Sequence, residues 1–160
     1  MISVFKRFVF LLTIGAFLLS TSCNDPNAVI DQNVVVANNN WSYVNKIKTR
    51  VTITDETIPY NLYMNLRVTA DYKYANLFVL INQVNPNKKI STNRYEFKLA
   101  NADGEWLGDG SGSIYSYQVP FKKGYKFPAK GVYTFEIEQN MRDNPLREVT
   151  DVGMRVERAQ

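Results

Sequence analysis

Hydrophobic and polar residues alternate with a period of two along most of the chain. Between residues 46 and 53, mainly apolar side chains at odd positions alternate with charged or polar side chains at even positions, as in a β-strand that buries one face. The same alternation recurs in five further segments, at 62–68, 95–99, 115–121, 133–137 and 152–156. Residues 77–81 are continuously apolar, which predicts a strand covered on both faces.

Turn-forming residues separate these segments and divide the chain into short strands. They occur at 85–87, 101–104, 123–124, 130–131 and 143–145. At least seven strands are predicted, and no segment has convincing helical periodicity. The pattern therefore predicts an all-β fold, an antiparallel two-sheet β-sandwich of immunoglobulin-like or jelly-roll type. The glycine-rich stretch 108–112 is too flexible for a strand, so we expect an exposed loop or bulge there.

The N-terminus has the three parts of a secretory signal. Lys6 and Arg7 precede an apolar run of 12 residues at 8–19, and small residues then lead to Cys23. The run is shorter than the about 20 residues that a membrane-spanning helix needs. Residues 19–23, Leu-Ser-Thr-Ser-Cys, resemble the bacterial lipobox, in which the cysteine is acylated, with palmitate for example, before the signal peptide is cut off. An ordinary signal peptide that leaves a free thiol is the alternative.

The chain is predicted to consist of three segments. Residues 1–22 are the lipoprotein signal peptide, residues 23–40 are the lipidated N-terminus and tether, and residues 41–160 are the β-sandwich domain. Residues 24–40 contain six asparagines and no aromatic residue, as expected of a tether, and Val34–Val36 is a candidate first edge strand. Removal of the signal leaves 138 residues, which is enough for one domain.

Composition narrows the chemistry of the mature chain. It contains no histidine, which removes His-based triads, imidazole bases and most transition-metal sites. Loss of Lys6 and Arg7 with the signal lowers the net charge from +4 to +2, which gives no argument for nucleic acid binding. Glu136 and Glu138 alternate with apolar residues, which is more typical of a solvated sheet face than of a catalytic pair. We predict no enzymatic activity, no metal site and no cofactor.

Aromatic side chains are the remaining candidates for binding. Trp106 lies beside the glycine-rich stretch, where two interpretations stay open: an exposed ring that stacks on a partner protein or a sugar, or a ring that fills the core. Tyr72 and Tyr74 are candidates for the same contact. Trp41, at the start of the predicted domain, is expected in the core.

Four lysines form a basic cluster around two predicted turns, at Lys122, Lys123, Lys126 and Lys130. Such a cluster can contact anionic lipid or lipopolysaccharide near a membrane. It is more often a device for solubility and for protection of sheet edges, which we favour from the sequence.

Six blocks of the sequence together are similar to a known family. They cover residues 55–63, 65–67, 71–77, 99–108, 131–139 and 151–157. This set resembles GldH, a gliding-motility lipoprotein family of the Bacteroidota, and the resemblance runs from Trp41 to Glu157. It implies an envelope lipoprotein that is needed by the gliding apparatus, which is coupled to the type IX secretion machinery, and it implies no enzymatic activity. The acylated cysteine of the family is matched by Cys23.

The sequence therefore predicts a non-catalytic outer-membrane lipoprotein. We expect the N-terminal lipid to hold it at the membrane and the sandwich to contact other envelope proteins of the motility and secretion machinery. The alternative is an outer-membrane glycan-binding β-sandwich, suggested by the aromatic content and by Trp106.

Overall fold

The computed structural model describes residues 25–159, and apart from one short 3-10 turn at Ala37–Asn39 its regular elements are strands. The eleven strands are β1 (Ala28–Val35), β2 (Asn40–Trp41), β3 (Ile47–Ile53), β4 (Tyr60–Thr69), β5 (Asn76–Val84), β6 (Ile90–Lys98), β7 (Asp109–Ser111), β8 (Ile114–Tyr125), β9 (Gly131–Gln139), β10 (Leu146–Arg147) and β11 (Val149–Arg158). The predicted all-β fold is confirmed. No helix among these residues is long and apolar enough to cross a membrane.

The strands form two main antiparallel sheets that pack as a sandwich. The five-stranded sheet has the order β1-β11-β4-β8-β7, and the four-stranded sheet has the order β3-β9-β5-β6. A two-stranded pair, β10-β2, lies at one end. Contacts such as Tyr95 on β6 against Phe121 on β8, with ring centroids 5.2 Å apart, join the two sheets.

The core follows from the period-two pattern. In β3, Ile47, Thr49, Val51 and Ile53 are buried and the residues between them are exposed, as the sequence predicted. Trp41 is 1% exposed, so its predicted place in the core is confirmed, and its indole N–H donates to the carbonyl of Asn45 over 3.1 Å.

Two expectations about single strands were wrong in detail. The apolar run 77–81 lies in β5, whose residues alternate between buried and half-buried. Its outer face is covered only by long neighbouring side chains, such as the Arg94 guanidinium 3.9 Å from the Phe78 ring centroid. The glycine-rich stretch contains the exposed edge strand β7. Residue 108, just before β7, has to be a glycine, because an added Cβ would lie 2.6 Å from the Tyr117 ring.

Strand β1 lies inside the segment predicted to be the tether, and Val34 and Val35 of the candidate edge strand form its end. It pairs antiparallel with β11 from Ala28 to Val35 and forms an edge of the five-stranded sheet. The close pairing depends on Gly153, where an added Cβ would lie 1.9 Å from the carbonyl oxygen of Gln32. The sandwich therefore starts at Ala28 and not at Trp41. The predicted signal peptide and Cys23 lie outside the described residues.

The strand pairings define two poles of the sandwich. At the N-terminal pole, the ends of β1, β11, β4 and β8 meet, since Ala28 pairs with Glu157 and Tyr60 pairs with both Arg158 and Tyr125. The loops of this pole are 54–59, 85–89 and 126–130. The loops of the opposite, distal pole include 42–46, 70–75, 99–108 and 140–145.

Candidate functional site

An open groove of about 720 Å³ lies at the distal pole, between loop 70–75 and the segment 142–148. We call it the distal groove. Charged side chains predominate in its lining, notably Asp71, Lys73, Arg142, Asp143 and Arg147, and Tyr74 adds an aromatic ring. Loops at the ends of sheets can vary in chemistry without disturbing the core, so this is where a sandwich usually carries a binding surface.

A buried side chain holds each wall of the distal groove. Tyr72 is 4% exposed, and its hydroxyl donates to the carbonyl of Asn76 over 3.1 Å, which braces loop 70–75. Gln139 is 1% exposed and braces the other wall. Its amide nitrogen donates to the carbonyl of Asp143 over 3.0 Å, and its amide oxygen accepts the backbone N–H of Met141 over 2.8 Å.

Tyr74, Asp143 and Lys73 form a polar network across the groove. The Lys73 ammonium lies 3.6 Å from the carboxylate of Asp143, and the hydroxyl of Tyr74 interacts with the same carboxylate. The interaction with Tyr74 and the charge of Lys73 lower the pKa of Asp143. The same interaction raises the pKa of Tyr74. The groove therefore presents an anion next to cations, with one tyrosine ring between them.

The structure brings together the three aromatic residues that the sequence singled out. Ring centroids lie 5.9 Å apart for Tyr74 and Tyr72, and 6.5 Å apart for Tyr72 and Trp106. Tyr115 continues the row, 5.3 Å from Trp106. Tyr72 is buried, and desolvation raises the pKa of its hydroxyl, so it supports its neighbours and does not face solvent. Trp106 is half-buried, which is intermediate between the exposed ring and the core ring that the sequence left open. Tyr74 is the member of the row that lines the groove.

The groove residues after Met141 were missed by sequence reasoning. Asp143 and Pro145 were interpreted as a turn, and only the fold brings them next to Tyr74. The single signal for this region was the density of charged residues, which surface loops share in general.

The carboxylates considered for catalysis face lysines on the next strand. Lys48 pairs with Glu136 and Lys46 pairs with Glu138, each over 2.8 Å. The hydrogen bond from Lys48 lowers the pKa of Glu136. Among residues 25–159, no group of three or more acidic or cysteine side chains is arranged to hold a metal ion.

A second charged cluster holds the entering chain at the N-terminal pole. Arg155 forms ion pairs with Asp25, with Asp31 over 3.0 Å and with Glu157 over 2.8 Å, and its side chain is 13% exposed. Glu157 also accepts the hydroxyl hydrogen of Tyr63 over 2.7 Å. We call this set of four charged residues the Arg155 clamp.

Backbone hydrogen bonds complete the attachment of the entering chain. The N–H of Arg158 donates to the carbonyl of Asn27 over 2.9 Å, and the N–H of Asn27 donates to the Asp25 carboxylate over 2.9 Å. The N–H of Ala28 donates to the carbonyl of Asp25 over 3.1 Å. The chain is therefore attached to the sandwich from Asp25 onward.

These observations define a class of protein: a small antiparallel β-sandwich that holds its N-terminal segment at one pole and opens a polar groove at the other. Comparison with known proteins gives the family. Residues 28–156, which begin where β1 begins, match the model of the GldH lipoprotein family.

Two relatives extend over nearly the whole chain. The chain is 32% identical to a protein of Christiangramia forsetii named gliding motility lipoprotein GldH homolog, over 98% of this chain and 98% of that protein. It is 31% identical to the gliding motility lipoprotein GldH of Flavobacterium johnsoniae, over 92% of this chain and 94% of that protein. The chain belongs to the GldH lipoprotein family, whose members are lipid-anchored proteins of the cell envelope. No solved structure matches it.

Proposed function

We propose that the chain is a non-catalytic outer-membrane lipoprotein that serves the gliding-motility and type IX secretion apparatus through protein–protein contacts. The relatives that it matches over nearly their full length are named as gliding motility lipoproteins. In this proposal, Cys23 carries the lipid, since it ends a lipobox-like run and is the single cysteine of the chain.

The observation that carries the proposal is the distal groove. Its walls are braced by buried Tyr72 and Gln139, while the side chains that line it, apart from buried Leu146, are exposed or half-buried. Tyrosine and arginine are enriched at the energetic centres of protein interfaces. Tyr74, Arg142 and Arg147 bring both residue types to one rigid rim.

The first experiment is affinity purification of the tagged chain from detergent-solubilised envelopes, followed by mass spectrometry. We expect motility or secretion components to be recovered with the wild type. Combined Tyr74→Ala and Arg142→Ala substitutions should reduce this recovery at least tenfold, as for two residues at the centre of an interface. The matched control is Thr52→Ala with Arg50→Ala on the exposed face of β3, which should leave recovery unchanged. Equal recovery with both variants, or recovery of the chain alone, contradicts the proposal.

A strain that lacks the chain tests the cellular role. We expect impaired spreading on agar and impaired type IX secretion, both restored by the wild-type gene. Normal spreading together with normal secretion contradicts the assignment to this apparatus.

Glycan binding is the second candidate function, favoured by the combination of Tyr74 with carboxylate and amide groups in the distal groove. Polysaccharides added to the protein should then change its tryptophan fluorescence, because Trp106 lies in the same aromatic row. The response should disappear in the Trp106→Ala variant and binding should weaken in Tyr74→Ala. No response to any glycan eliminates this alternative.

A further inference from the structure

The membrane attachment and the N-terminal pole are separated by very little chain. Asp25 is bound to Arg155, and its neighbours are tied to β11 by backbone hydrogen bonds. Only Asn24 lies between Asp25 and Cys23. Two steps of about 3.8 Å place the Cα atom of Cys23 within about 8 Å of the Cα atom of Asp25. If Cys23 carries the lipid, as the proposed function states, the bilayer begins at the N-terminal pole.

The surface of this pole is basic. The Arg155 clamp and Arg158 contribute two arginines against Asp25, Asp31 and Glu157. The loops 54–59 and 85–89 and the segment 123–130 add five lysines and two acidic residues, so that seven basic residues face five acidic ones. The lysines are Lys88, Lys89, Lys123, Lys126 and Lys130, all exposed. The two acidic side chains are already engaged: Asp55 accepts hydrogen bonds from Thr57, and Glu56 lies 3.6 Å from Lys130.

The distal pole has the opposite balance. Loops 42–46, 70–75 and 99–108 and the segment 140–148 carry five acidic residues and four basic ones. The two ends of one small sandwich therefore differ in the sign of their charge. Solubility alone does not require basic and acidic residues to be at opposite ends. Contact of the basic end with an anionic surface accounts for this separation of charge.

We propose that the N-terminal pole docks on the phosphate headgroups of anionic phospholipids, so that the sandwich stands on the bilayer with the distal groove facing away from it. The occupant is a lipid surface because the lipid anchor emerges at the same pole: Asn61 lies beside Asp25 and accepts the N–H of Gly124, next to Lys123. Lysine suits this contact because its ammonium is a hydrated point charge that needs no fixed partner geometry. Each basic side chain near an anionic membrane surface favours the docked state about fivefold.

The experiment uses the mature lipidated protein in vesicles. Ala129→Cys places a label at the N-terminal pole and Ala102→Cys places one at the distal pole; both positions are exposed. Acylation occupies Cys23, so a fluorophore reacts only with the introduced thiol. Vesicles contain a lipid with a nitroxide on its headgroup as quencher, in phosphatidylcholine with or without phosphatidylglycerol.

We expect strong quenching at position 129 in vesicles with phosphatidylglycerol, weaker quenching without it, and little at position 102 in either. Lys123→Gln with Lys126→Gln should lower the ratio of docked to undocked molecules about 25-fold, and the effect should diminish at high salt. The control, Arg50→Gln with Lys98→Gln, removes the same charge from exposed positions outside the pole and should change nothing.

Equal quenching at the two positions, or quenching at position 129 that ignores phosphatidylglycerol, overturns this inference. Vesicle flotation and the mass of the N-terminal peptide separate this result from a failure of the proposed function. A protein that is not acylated neither floats with the vesicles nor gains the mass of the lipid.

Discussion

At the scale of single residues, the Arg155 clamp gathers three carboxylates around one largely buried guanidinium. Burial by itself disfavours the charged arginine, but hydrogen bonds to Glu157, Asp31 and Asp25 outweigh it and raise the pKa of Arg155. Hydrogen bonds between charged groups at such partly buried positions contribute more than exposed ion pairs do. The Arg155 clamp therefore holds the segment that begins at Asp25 against the five-stranded sheet.

The substitution Arg155→Met tests the strength of the clamp. We expect it to lower the free energy of unfolding by about 1–3 kcal/mol, because it leaves three carboxylates without their shared cation. Urea unfolding measures the change. The control is Arg67→Met on the same sheet, where the ion pair with Asp151 is 3.9 Å long and half-exposed, and where we expect less than about 1 kcal/mol. Equal effects of the two substitutions argue against the clamp.

The clamp also predicts a dependence on pH. The Asn27 N–H and Arg155 lower the pKa of Asp25, and the Tyr63 hydroxyl and Arg155 lower the pKa of Glu157. A carboxyl group whose pKa is lowered by folding stabilises the protein fully above its unfolded pKa of about 4, and this stabilisation is lost as the pH falls toward the folded pKa.

Urea unfolding between about pH 3 and pH 6 should therefore show a steeper loss of stability in the wild type than in Arg155→Met. Carboxylates elsewhere contribute to both proteins alike, so the difference between the two curves isolates the clamp. Parallel curves contradict this assignment.

At the scale of elements, β1 connects the entering chain to the rest of the five-stranded sheet, and Gly153 makes its pairing possible. A Cβ at this position meets backbone atoms of Gln32 and Asn33, which cannot rotate away as a side chain can. A larger side chain at position 153 therefore weakens the pairing of β1 with β11 and not the packing of the core.

We expect Gly153→Ala to destabilise the protein by about 1–3 kcal/mol and to expose β1 to amide hydrogen exchange. The control is Gly110→Ala in β7, where an added Cβ lies 3.3 Å from the edge of the Tyr115 ring and little has to move. Hydrogen exchange with mass spectrometry measures both variants. Continued protection of β1 in Gly153→Ala means that the close approach is not required.

The elements differ in how far the sequence predicts them. Strands with one buried face, such as β3 and β9, alternate cleanly and were predicted correctly. Strand β1 was predicted only in part, because Val34 and Val35 belong to the candidate edge strand but residues 28–33 do not. Asp31–Asn33 are exposed polar residues, and the partner strand β11 lies more than 100 residues away. The distal groove was not predicted from the sequence for the same reason. Its two walls meet only through the fold, so Tyr74 could be singled out but Arg142 and Asp143 could not.

At the scale of the whole molecule, the two poles have different chemistry at opposite ends of the same strands. Strand β4 has 10 residues, so the distal groove lies about 30 Å from the N-terminal pole. In the docked orientation proposed above, a partner would meet the groove at one fixed height over the bilayer. A long tether would remove that constraint.

A flexible linker inserted between Asn24 and Asp25 tests the constraint. About 12 Gly and Ser residues span about 20 Å on average, which lets the pole leave the membrane while the lipid stays in it. We expect normal acylation and normal protein levels but slower spreading. The control is the same linker after Ala159. Unchanged spreading with the N-terminal linker means that height and orientation do not matter for the function.

The direction of β1 has a mechanical consequence. Its N-terminal end enters at the pole next to Cys23, and it runs away from that pole alongside β11 through seven residue pairs. A pull on the lipid against a load held at the distal groove acts along the strand axis. The inter-strand hydrogen bonds lie across that axis, so they bear the load in shear, together and not one after another. Detachment then requires all of them to break at once, which makes the edge strand a strong point of attachment for a protein under tension.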